Sequence, residues 1–153
     1  MTQEELDSLL EKRELEDADL QFEDLQYLNL QNTNLNGANL LCADLQSAEL
    51  QNADLRNTDL RGADLRFADL RDADLRGADL RFANLKNAKF KNTNFQNADL
   101  RDTNLQYTNL QDADFKDADL EGVDLRHTEL QDEYIKETLD DRVKRDECDY
   151  FAK

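Results

Sequence analysis

Residues 53–82 read ADLRNTDLRGADLRFADLRDADLRGADLRF, six five-residue units in a row with Leu55, Leu60, Leu65, Leu70, Leu75 and Leu80 at one fixed place. The same register extends outward in both directions. From 20 to 130, every fifth position holds leucine 20 times and phenylalanine 3 times, at Phe90, Phe95 and Phe115. Two residues earlier stand 14 alanines and 6 threonines, with Glu23, Leu28 and Val123 as exceptions. Between them lies Asp or Asn in 20 of the 23 repeats. The unit is therefore Ala-Asp/Asn-Leu followed by two polar residues, unbroken over residues 16–130.

A period of five matches neither the 3.6 of a helix nor the 2 of a strand, and either one would smear the leucines over every face. Local alternation resolves the conflict. If Ala53 and Leu55 point inward and Asp54 outward, three residues act as a very short strand and the next two turn the chain. Repetition rolls the chain into a coil with small and large side chains alternating inside. Successive coils then stack at about 4.8 Å with backbone hydrogen bonds between them. Two spacings favour a square coil of four repeats. Phe95 and Phe115 lie 20 residues apart, and positions 32, 52, 72, 92, 112 and 132 read Asn, Asn, Asp, Asn, Asp, Asp.

On these residues the chain resembles the pentapeptide repeat family, whose pattern is Ala-Asp/Asn-Leu-x-x, over 115 of 153 residues. The resemblance implies an all-β solenoid, a right-handed quadrilateral parallel β-helix with short helical terminal segments. At the usual strand spacing, 23 repeats make a rod about 28 Å long.

Disorder would be the reading of composition alone, with charged residues at 36% and aromatics at 7%, but a disordered acidic chain has no cause to place leucine at every fifth residue. The formal net charge of -17 argues against direct nucleic-acid binding, which needs an excess of Lys and Arg. Cys42 and Cys148 are too few and too distant for a disulfide framework or a metal cluster. No apolar run suits a signal peptide or a membrane span, so the expected location is the cytoplasm, with no membrane association.

An open stack exposes leucines and strand edges at both ends. Residues 1–15 are expected to form an N-terminal helical cap, with Thr2 and Glu5 in capping-box spacing and Leu6, Leu9 and Leu10 on one face. Residues 131–153 place Tyr134, Ile135, Leu139 and Val143 at helical spacing, a C-terminal helical cap or an interface tail. Some members of the resembled family dimerise through their C-terminal ends. By that analogy Val143, Tyr150 and Phe151 are candidates for a homodimer interface, against a monomer with a simple cap.

Charge is distributed in bands. Residues 16–55 carry 8 acids and no base, 56–101 carry 10 bases against 7 acids, and 102–130 carry 8 acids against 2 bases. The waist of Arg56, Arg61, Arg66, Arg71, Arg76, Arg81, Lys86, Lys91 and Arg101 is expected to neutralise neighbours such as Asp59, Asp64 and Asp69. For Asp and Asn in the middle of each unit, bonding to nearby backbone amides at a corner is the expected role. Outward aromatics are the candidate partner surface: Phe22 and Phe82 share one column, and Tyr27, Phe67 and Tyr107 the next. His127 falls in the second column, and a single histidine in the whole sequence points to no metal or general base.

No Gly-rich phosphate loop, paired His or supported nucleophile is present, so no enzyme activity and no cofactor are expected. The leading expectation is a non-enzymatic rigid scaffold for protein–protein interaction. The alternative comes from the resemblance: some similar proteins bind DNA gyrase by imitating the width and negative charge of duplex DNA, as its regulators or protectors.

Overall fold

Backbone bridges settle the number of sides. A computed structural model describes residues 3–13 and 15–128, and every bridge in it joins residues 20 apart, all parallel, from Asp19↔Asn39 through Asn104↔Asp124. Four pentapeptides therefore complete each coil, as the phenylalanine spacing anticipates. The short strands shrink to a single bridged residue at the Asp/Asn position. On either side the chain is already entering or leaving a corner.

Each repeat is held in the same way. The N–H of Leu20 donates to the carbonyl of Asn39 at 2.8 Å, that of Asn39 to Ala18 at 2.9 Å, and that of Phe22 to Leu41 at 2.9 Å. Within the corner, Ala38 donates to the Leu35 carbonyl at 3.0 Å, closing a four-residue turn. The second central residue of that turn has positive φ in every described repeat, from Asp17 at 54° to His127 at 61°. This is the geometry of a type II turn, which favours Gly or Asn there. Asp and Asn at the bridge then steady the next corner: the Asp24 carboxylate accepts the N–H of Gln26 at 3.2 Å and the Asn34 side chain that of Asn36 at 3.0 Å. The structural role expected of these residues is the one observed.

Inside the coil the size alternation is literal. Leu20 through Leu105, Phe90 and Phe95 at the fifth position are no more than 1% exposed, and the alanines from Ala38 to Ala98 are nearly as closed. Burying each such leucine contributes roughly 1.5–3 kcal/mol before the entropy cost of ordering the coil. Phe95 and Phe115 stack with centroids 4.7 Å apart in one column, and Phe90 meets Phe95 edge-on at 5.4 Å. Threonine replaces alanine without leaving its hydroxyl bare in most repeats. Thr93 and Thr103 donate to the carbonyls of Leu70 and Leu80, at 2.7 and 3.0 Å.

At the start of the rod, helix α1 spans Gln3–Lys12, with Glu4 and Glu5 in its first turn and Lys12 in its last, charges that suit the helix dipole. Leu6 is buried in the core, and Leu9 and Leu10 pack against it. Arg13 ends the helix at φ 55°. Its carbonyl accepts the N–H of Asn34 at 3.0 Å, so the turn after the helix is already tied to the coil above. Thr2 and the whole of 131–153, including Val143, Tyr150 and Phe151, lie outside the described residues.

Candidate interaction surface

Four corners per coil generate four edges running along the rod. The first holds residues 17, 37, 57, 77, 97 and 117, the fourth 32, 52, 72, 92 and 112. All eleven are Gly, Asn or Asp, the residue types that enter the left-handed region most readily. Edges two and three break this rule. Edge two reads Phe22, Cys42, Gly62, Phe82, Asp102, Gly122, and edge three reads Tyr27, Ser47, Phe67, Asn87, Tyr107, His127.

Large rings therefore sit where the backbone suits them least: Phe22, Tyr27, Phe67, Phe82 and Tyr107 all have φ between 57° and 62°, as does His127, a residue type that enters this region more readily. For side chains other than Gly, Asn and Asp this conformation costs on the order of 1–2 kcal/mol. Water covers much of that surface. Phe22 is 69% exposed, Tyr27 74%, Phe67 56%, Phe82 66% and Tyr107 50%. The two columns are neighbours, so the rings flank a single face. Upon it Tyr107 stacks on His127 at 4.7 Å, and the Lys86 ammonium lies 4.9 Å over the Tyr107 ring. Sequence spacing located the five rings and put His127 in their column; it did not reveal that each holds a left-handed corner, that His127 stacks on Tyr107, or that Lys86 joins them.

The basic waist has a different character. Each arginine grips the Asp two residues before it. Arg61 Nε and Nη2 donate to the two oxygens of Asp59 at 2.8 and 2.5 Å, and Arg81 and Arg101 hold Asp79 and Asp99 in the same way. The same guanidiniums approach the next coil, Arg61 to Asp79 at 3.8 Å, Arg81 to Asp99 at 3.5 Å and Arg101 to Asp119 at 3.7 Å. An alternating ladder of charge thus runs up one face. Exposed pairs of this kind contribute little singly, but they leave these arginines committed to their own rod.

Asp54, Asp59 and Asp99 are held below the ordinary 3.8, chiefly by the guanidinium of Arg56, Arg61 or Arg101, with burial working the other way. For Asp69 burial is the largest influence and raises it. Arg71 and Lys89 outweigh burial, and the net shift is downward. Asp124, gripped by Arg126 and Gln106, is held at about 2. A carboxylate depressed in the fold stabilises it above the unfolded value and ceases to do so as pH falls through the folded one. The urea midpoint is expected to fall as pH drops from 3.8 toward 2. A midpoint that stays level across that window would show the ladder to be energetically idle.

Among the described residues no group of three or more His, Cys, Asp or Glu is placed to hold a metal ion, and no helix is long and apolar enough to cross a membrane. Cys42 is a free, exposed thiol on edge two.

Comparison with known proteins agrees with this architecture. A family model described as pentapeptide repeats matches residues 14–52, 38–77, 58–97 and 93–132. HetL, a pentapeptide repeat protein involved in heterocyst differentiation regulation in the cyanobacterium Nostoc, is 34% identical, with a TM-score of 0.58 over 72% of this chain and 60% of that one. A pentapeptide repeat protein of the Arabidopsis thaliana thylakoid lumen is 27% identical, with a TM-score of 0.53 over 79% of each chain. QnrB1, a plasmid-mediated fluoroquinolone resistance protein, is 17% identical with a TM-score of 0.37 over 86% of this chain and 93% of that one, a likeness from which nothing about partners follows. No curated protein sequence matches the chain.

Proposed function

The chain belongs to the pentapeptide repeat family, whose right-handed quadrilateral β-helix it adopts, and from that premise we propose that it is a non-enzymatic scaffold that docks protein through the face between edges two and three. One observation carries the reading. Of the eight left-handed corners not occupied by Gly, Asn or Asp, six bear aromatic rings, and all six lie on those two adjacent edges. Rings placed at random over four edges would have no such preference, and rings serving only the fold would not stand half or more in water. Aromatic side chains are the commonest anchors of protein interfaces. A rigid rod presents them already ordered, which lowers the entropy cost of binding.

Affinity capture tests this directly. The intact protein is compared with Phe67→Ser and Tyr107→Ser variants whose circular dichroism is unchanged. The bound protein is expected to be lost from the variants, and retention of every partner would reject the aromatic anchor while leaving the fold untouched.

The second reading, imitation of DNA toward gyrase, draws its support from the net charge of -17 and the acid-only stretch 16–55. The ladder of Arg56 to Arg101 interrupts the acidic surface at the waist, and no loop leaves the sides of the described coils. Unaltered gyrase supercoiling at low salt would sink it.

A further inference from the structure

Edges two and three each have six levels, separated by the same rise, and both respond to reversal in the same way. Reversed upon itself, edge two sets Phe22 opposite Gly122 and Phe82 opposite Gly62. Edge three sets Tyr107 opposite Ser47 and Phe67 opposite Asn87, leaving only Tyr27 and His127 as a pair of rings, fit to stack. In one and the same register, every exposed phenylalanine meets a glycine or an asparagine.

We propose that the occupant of the aromatic face is a second copy of this chain, packed face to face with its rod antiparallel. This rests on the aromatic face being a docking surface. A two-fold axis lying across the face, between the third and fourth levels, reverses the order of levels and keeps each edge against its own counterpart. That is the relation an isologous interface requires. Gly62 and Gly122 add no side chain of their own there, so the partner's rings would pack over the Cys42 thiol and the Asp102 carboxylate that lean toward these glycines from the coil below.

Charge decides between the antiparallel arrangement and a parallel one, in which edge two would face edge three level by level. Parallel packing sets the base-free lower levels, with Asp24 and Asp44, against themselves. Antiparallel packing sets Asp24 opposite Asp124, which Arg126 already neutralises, and Asp44 opposite the uncharged Asn104. At the centre, Asp64 enters already clamped by Arg66 and meets the uncharged Asn84. The area suffices. Rings of this kind bury about 150–250 Å² each, so the five, 50–74% exposed, present on the order of 600 Å² per copy. Complete burial of the rings in two copies would remove about 1,200 Å², the lower end of the range for specific interfaces.

Cys42 supplies the test, since reversal places it opposite Asp102 of the second copy. In full-length protein carrying Cys148→Ser, Asp102→Cys is treated with a short bis-maleimide and the crosslinked peptides are identified. Ser47→Cys in the same background reports the parallel arrangement. Mixing isotopically labelled and unlabelled protein separates links between copies from links within one. Sedimentation equilibrium measures the dimer with and without Phe67→Ser and Phe82→Ser. The first expected result is a link between Cys42 of one copy and the thiol introduced at position 102 of the other. The second is a dimer strengthened by added salt, because both copies carry -17 and salt screens their repulsion. The third is a dissociation constant weakened about 30-fold or more by each substitution, which removes a ring from both copies. A link between copies that joins Cys42 to the thiol introduced at position 47 overturns the antiparallel register. A dimer indifferent to the rings and abolished by deleting 131–153 overturns the proposal in favour of the tail. A protein monomeric at every concentration overturns it too, and ring-dependent capture of a different protein would then leave the docking face standing.

Discussion

Leu75→Asp is expected to abolish the cooperative unfolding transition and leave the chain expanded on size exclusion. Leu75 is fully buried in the middle of the rod. By the 20-residue repeat of the bridges, its column continues with Leu55 below and Phe95 above. The substitution forfeits roughly 1.5–3 kcal/mol of burial, and the carboxyl enters a stack lined by Leu, Ala and Phe in which the Thr58 and Thr93 hydroxyls are already committed to the Leu55 and Leu70 carbonyls. Isolated buried charge costs several kcal/mol more even after relaxation. Together these are a large share of the roughly 5–15 kcal/mol that holds a typical domain together. Topology magnifies the effect, because coils in a solenoid touch only their neighbours and a failed central coil parts the rod into two shorter stacks. Leu75→Met, which conserves volume, is expected to cost under about 1.5 kcal/mol. Loss of far-UV signal in the first variant and a slightly lowered midpoint in the second would confirm that the centre of the coil reads chemistry before shape. A folded, cooperative Leu75→Asp would mean that the coil interior admits water, against the closure seen at every leucine around it.

The inner half of each repeat was legible because it is decided by solvent exclusion, which tolerates few alternatives. Leucine at Leu55 and Leu75, alanine at Ala53 and Ala73, and phenylalanine at Phe95 and Phe115 can satisfy a coil of four sides and little else. The outer half was legible only in part, because water accepts many conformations there. Arg61 could have reached a carboxylate on either side or on either neighbouring coil; its grip on Asp59 two residues back, with Asp79 of the coil above as a second contact, depends on the exact rise and turn of the corner. The columns of aromatic residues could be drawn from spacing once four sides were assumed. Their left-handed φ could not be, since Phe22 or Phe82 is among the residues that propensity would place there last. Val143, Tyr150 and Phe151, the candidates for a C-terminal interface, lie outside the described residues.

Strain at the ringed corners separates a structural purpose from a binding one. Phe82 has φ 61°, the same value as Asn87 on the next corner, yet only asparagine is at ease there. Phe82→Asn is expected to leave the thermal midpoint level or to raise it, because relief of about 1 kcal/mol of backbone strain offsets what the one-third-buried ring contributes by packing. Phe82→Ala removes the same ring and keeps the strain, so it is expected to be less stable than Phe82→Asn by roughly 0.5–1 kcal/mol. Both variants should lose binding at the aromatic face alike, by about 2 kcal/mol or more. Stability and binding therefore part company: the asparagine variant folds at least as well as the parent and binds far worse, which is the mark of a residue kept for contact at the expense of the fold. If Phe82→Asn instead destabilised the rod as much as Phe82→Ala, the ring would be covering its neighbours for the sake of the coil. The clustering of six rings on two edges would then need a structural cause, and edges one and four, which fold the same corner with Gly, Asn and Asp alone, show that the coil has no need of them.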